Sequence, residues 1–174
     1  MKKATSITLL LLALALLSTP ISTNAQPARA VTIYMYAAKF VCGKSEGRIV
    51  SPGEYFTAIN VHNASPTTRA VYIKRFAIAL PEERPGQISE FVSGVLGPDE
   101  AMGIDCQNIY KHTGSNPGQF LEGYALLYSL SELDVVSIYT AGHSEVETLH
   151  TERVPVRKFV IGRQHAMSRR LMEQ

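Results

Sequence analysis

Apolar and polar positions alternate along most of this chain in short runs, separated by turn residues at fairly regular intervals. Val31–Val41 (VTIYMYAAKFV) opens the series, rich in β-branched and aromatic side chains. Ser51-Pro52-Gly53 then turns into Tyr55–His62, where Tyr55, Thr57, Ile59 and Val61 take one face and Asn60 and His62 the other. Asn63–Thr68 reads as a turn, Ala70–Leu80 as the next strand, and Pro81–Gly86 as its end. Weaker runs at Ile88–Leu96 and Ala101–Cys106 follow, then a long polar connection over Gln107–Gly118. Phe120–Ser129, Leu133–Thr140, Val146–His150 and Val154–Ile161 complete eight or nine strands. No long stretch carries a helical period, so the pattern predicts an all-β, immunoglobulin-like antiparallel sandwich, with a β-barrel as the alternative.

Two ends of the chain depart from this pattern. Met1-Lys2-Lys3, the apolar run Ile7–Leu17 and Ser18-Thr19-Pro20 form a basic, apolar and small-residue succession typical of a cleavable secretory signal. The run is too short for a bilayer, which needs about 20 apolar residues. Cleavage after Ala25 or after Ala30 satisfies the small-x-small rule, and the first lies closer to the apolar run. The predicted organisation is therefore a signal over residues 1–25, one β-sandwich domain over 26–161, and a basic tail over 162–174. That tail carries Arg163, Arg169 and Arg170, with Met167, Leu171 and Met172 at helix-like spacing, and reads as a frayed terminal helix.

Export changes the charge. The whole chain holds 17 basic and 15 acidic residues, and removing Lys2 and Lys3 leaves 15 of each. A neutral surface argues against broad nucleic-acid binding, which needs many phosphate-neutralising side chains. No later stretch is apolar for long enough to cross a membrane as a helix. The expected location is the periplasm or the medium, where cysteines are oxidised. On strand alternation Cys42 shares a face with Phe40, and Cys106 shares one with Ile104, so both sulfurs face a core and a Cys42–Cys106 disulfide is expected. Two separate buried thiols are the alternative.

The strings FVCG (40–43), PGEY (52–55), INVHN (59–63), LGPDEA (96–101), DC (105–106) and ELDVVSIYTA (132–141) form a pattern. It resembles small exported bacterial β-sandwich proteins of unknown function, over roughly residues 33–141. The resemblance implies a sandwich and transfers no catalytic residue.

Candidate chemistry is thin. There is no Gly-x-Ser-x-Gly elbow and no Ser-x-x-Lys, and the acids at Glu82-Glu83, Asp99-Glu100, Glu132 and Asp134 sit in turns. The five histidines are dispersed, without a His-Glu-x-x-His motif. The one metal set that a hairpin would bring together is His143, Glu145 and His150. The Gln107–Gly118 connection offers Tyr110, Lys111 and His112 as partner-binding residues at a sandwich end. Asn63-Ala64-Ser65 matches a glycosylation sequon, but in a turn before Pro66. These readings favour a non-catalytic exported protein that binds an envelope protein partner or serves an envelope assembly, with no cofactor. A periplasmic metal- or small-ligand-binding protein is the alternative. Subunit count is left open.

Overall fold

A computed structural model describes residues 30–143, 146–162 and 165–174. Among these residues ten strands and two short helices follow one another: β1 (Ala30–Ser45), β2 (Gly53–His62), β3 (Ala70–Ala79), β4 (Pro85–Ile88), β5 (Val92–Leu96), β6 (Ala101–Asp105), α1 (Cys106–Thr113), β7 (Leu121–Ser129), β8 (Asp134–His143), β9 (Val146–Arg153), β10 (Arg157–Gly162) and α2 (Ala166–Met172). The proposed signal lies outside the described residues.

Every strand–strand ladder is antiparallel. One sheet runs β10–β1–β7–β3, with β4 and β5 both on the outer edge of β3. The second runs β2–β8–β9, with β6 beside β2. The 16-residue β1 joins them, because its last residues, Gly43–Ser45, pair with Gly53–Tyr55 of β2. Immunoglobulin domains place strands A-B-E-D on one sheet and C-F-G on the other. Here β1, β2, β3, β7, β8 and β9 occupy B, C, D, E, F and G, and the last strand, β10, takes the place of A. The two outer ends, β4 and β9, do not pair, so the barrel alternative does not close.

Alternation placed the core correctly. Thr57, Ile59 and Val61 are buried beneath β2, while Asn60 is exposed. They meet Tyr36, Ala38 and Phe40 of β1, Phe76 of β3, and Leu121, Ala125 and Leu127 of β7 in the main core. The unpaired edge of β1 is satisfied by side chains. Thr57 Oγ1 lies 2.9 Å from both the Val41 nitrogen and the Val41 carbonyl oxygen. The Tyr36 hydroxyl accepts from the Leu133 nitrogen at 2.7 Å. Such pairing lets the edge be buried without orphaned backbone groups.

Two expectations need correction. The polar connection 107–118 begins as a helix, because Asp105 caps it. Its carboxylate accepts from the Asn108 nitrogen at 2.8 Å, and the Asn108 side chain accepts from the Asp105 nitrogen at 3.1 Å. This reciprocal cap satisfies two amides at once, and Gly114, in the left-handed region at φ 66°, ends the helix. The tail does not fray. Helix α2 lies on the outer face of the first sheet, where Leu171 is 1% exposed and joins Ile33, Ile73 and Tyr128 in a second apolar cluster. Burying a leucine contributes about 1.5–3 kcal/mol, which holds so short a helix in place.

The disulfide forms as expected, with Cα atoms 5.7 Å apart. It ties β1 to the first residue of α1. Next to it, Gly43 adopts φ +85°, and a Cβ there would stand 2.2 Å from the Gln119 carbonyl oxygen. Glycine is needed for that close approach, which leaves the Lys44 nitrogen free to donate to the Gly118 carbonyl at 3.0 Å. The Asn63 side chain is buried, donating to the carbonyls of Thr68 (2.7 Å) and Gly97 (2.8 Å). The sequon is thus an internal brace, inaccessible to a glycan.

Candidate functional site

The outer face of β2–β8–β9 is built from the residues out of phase with the core. Pairing across the three strands sets Glu54, Gly142 and Glu147 in one row, then Phe56, Thr140 and Leu149, then Ala58, Ile138 and Thr151, then Asn60, Val136 and Arg153. The two middle rows are mostly apolar and the two outer rows carry the charge. Phe56 is 55% exposed and Leu149 72%. Isolated apolar side chains on a surface are ordinary; here two exposed ones share a row with Thr140 between them, and the flanking rows carry charge.

Phe56 stands between two depressions. One, of about 730 Å³, runs along Lys44, Glu54, Gly142, Glu147 and Leu149. The other, of about 270 Å³, lies against Asp105, Gln107, Ala58 and Ile138. The Phe56 ring is thus half-exposed with a hollow on either side. At the far end Arg153 pairs with Asp134 on the surface.

The sequence-predicted residues fall elsewhere. Helix α1 separates Tyr110, Lys111 and His112. Tyr110 is buried and its hydroxyl donates to the Gln119 carbonyl at 3.0 Å. Burial raises its pKa above the ordinary tyrosine value. His112 stacks on Phe76, with centroids 5.6 Å apart and planes 14° from parallel. Of the three, only Lys111 is exposed. They form no common surface, because a helix turns successive side chains by about 100°.

Burial, reinforced by Lys74 and Lys111, pulls the His112 pKa below its usual 6.5. The folded protein therefore binds this proton less readily than the unfolded chain, so stability rises with pH through this region. The melting temperature should fall as pH drops from 7.5 through 6.5 and below, and His112→Gln should flatten that part of the profile. An unchanged slope in the variant would reject His112 as its source.

The pairing register does not set the two histidines of the metal set side by side. On β9 the position opposite His143 is Val146, and His150 lies four residues further along. At about 3.3 Å per residue that offsets the two backbones by roughly 13 Å along the strand. Glu145 lies outside the described residues. His150 instead stacks on Tyr139, centroids 6.0 Å apart, beside Glu152 and Lys39 in a groove of about 340 Å³. The Tyr139 hydroxyl donates to the Lys39 carbonyl at 3.1 Å, and burial is the main cause of its raised pKa. Among the described residues no group of three or more His, Cys, Asp or Glu is arranged to hold a metal.

Phe56, Ile138 and Leu149 were missed by assigning faces from the core side alone. The signal was present: Phe56 and Ala58 occupy positions of β2 in phase with Asn60 and His62, where polar residues are expected.

No protein-family model matches this chain, and no curated protein matches it. A crystal structure from Thermotoga maritima matches at a TM-score of 0.43 and 10% sequence identity, over 72% of this chain and 93% of its own. So loose a likeness carries no argument about function.

Proposed function

We propose that this protein is an exported, non-catalytic, immunoglobulin-like β-sandwich that binds another envelope protein through the outer face of β2–β8–β9. The observation that carries the reading is the pair of exposed apolar side chains Phe56 and Leu149, with half-buried Ile138 in the next row, rimmed by Glu54, Glu147 and Arg153. An aromatic centre with a charged rim is the usual anatomy of a recognition surface. Export is supported by the signal-like N-terminus and by a buried disulfide, which persists in an oxidising compartment. Among the described residues no helix is long and apolar enough to cross a membrane.

The test compares wild type with Phe56→Asp in crosslinked envelope extracts. A protein captured by wild type should be lost with Phe56→Asp, with binding weakened at least ~30-fold in a purified assay. Because Phe56 is exposed, the variant should melt within about 2 °C of wild type. Equal capture by a folded Phe56→Asp protein would reject this face.

A further inference from the structure

Beyond partner capture by the outer face, we propose that β9, which borders that face, is a self-pairing edge that joins two copies of this chain into one continuous sheet. Among the described residues β9 pairs with β8 alone, and its other edge has no strand beside it. Residues 147–153 are all exposed. Such an edge presents free backbone donors and acceptors and is a template for another strand.

The occupant follows from the sequence of β9, VETLHTER. Two copies related by a two-fold axis pair antiparallel, and only registers that keep outward residues facing outward preserve both faces. With the axis at His150, Glu147 of each copy stands opposite Arg153 of the other, Thr148 opposite Glu152, and Leu149 opposite Thr151. No like charges meet, and two acid–base pairs form. A shift of the axis to Leu149 sets Glu147 opposite Thr151, and a shift to Thr151 carries Glu147 past the strand's end. Of the face-preserving registers, only the one centred on His150 sets Glu opposite Arg within the residues of β9. Proteins commonly protect edges with charges of one sign, often lysine, but opposite charges near the two ends of an antiparallel edge are complementary to a second copy of themselves. In this register the row Phe56–Thr140–Leu149 continues into Thr151–Ile138–Ala58 of the second copy, so the two apolar patches run together and the largely exposed Leu149 gains a neighbour.

A charge-swap series read by sedimentation velocity on the purified mature protein, from 1 to 200 µM, tests this. Wild type should form a dimer within that range. Glu147→Arg and Arg153→Glu, each replacing two opposite-charge pairs across the seam by two like-charge pairs, should each weaken it by at least ~tenfold; Arg153→Glu also sets a like charge against Asp134 in its own chain. The double variant restores opposite charges and should bring dimerisation back to within about threefold of wild type. Circular dichroism melts confirm that each variant is folded, as expected at exposed positions. A wild-type protein monomeric at 200 µM overturns the proposal. So does a dimer unaffected by either single change, or a double variant no tighter than the singles. Since the readout is self-association, its failure leaves the Phe56 capture experiment untouched.

Discussion

Reduction of Cys42–Cys106 should lower the unfolding free energy by about 4 kcal/mol. The crosslink spans a sequence separation of 64 residues, and in the chain-entropy model a loop of that length removes roughly this much freedom from the unfolded chain. For a domain of this size the melting temperature should drop by roughly 8–16 °C. The bond also has a local role. Cys42 is fully buried and Cys106 nearly so, and the Thr57 nitrogen donates to the Cys106 sulfur at 3.3 Å. Reduction leaves both sulfurs inside the core, so urea melts with and without reductant isolate the crosslink. The Cys42→Ala, Cys106→Ala double variant adds the loss of two buried sulfurs and should be less stable than the reduced protein. A change below about 1 kcal/mol on reduction would mean that the unfolded chain already keeps these segments close. An exported protein would then gain little from the oxidising compartment.

Phe40→Ala should cost about 3–5 kcal/mol, comparable with losing the disulfide. Phe40 is fully buried and meets Phe76 edge-on, with centroids 6.4 Å apart. Its ring also fills the space above Gly123, where a Cβ would come within 2.8 Å of the Phe40 ring and 2.1 Å of the Ala77 carbonyl oxygen. The glycine backbone and the ring are therefore complementary. Equilibrium urea unfolding measures the loss, and Phe40→Leu should recover part of it. If Phe40→Ala cost under 1 kcal/mol, the packing of β1 on β7 would be less tight than described.

Local pattern carried the strands, the core face and the disulfide, because these depend on period-2 alternation, turn residues and solvent exclusion, all readable within a dozen residues. Ile59 and Val61 under β2, and Cys42 beside Phe40, followed from alternation alone. Strand ends were less legible. β1 continues to Ser45 through polar residues because its last three residues find partners on β2, and Pro85–Ile88 becomes a strand because β3 offers an edge. Helix α1 was overlooked although its capping signal, Asp105 with Asn108, is local; its polar composition suggested a loop.

The candidate site was the least legible part, for a reason of scale. A residue such as Phe56 identifies itself as exposed only once the opposite face of its strand is assigned to a core, and its neighbours Ile138 and Leu149 lie more than 80 residues away in the chain. The histidine set illustrates the same scale in reverse. Closeness in sequence across the β8–β9 turn suggested convergence, but the pairing register separates His143 from His150 along the hairpin.

What the sequence determined by itself was the class of fold and the inward direction of the two cysteines. What tertiary structure alone decided was which strands lie side by side, that the last strand completes the first sheet, that Leu171 belongs to a core, and that Phe56 and Leu149 share an open face. The division follows from the range of the forces involved. Alternation and turn chemistry act between neighbours in the chain, whereas ladder pairing and burial act between segments brought together only after the whole chain has closed on itself.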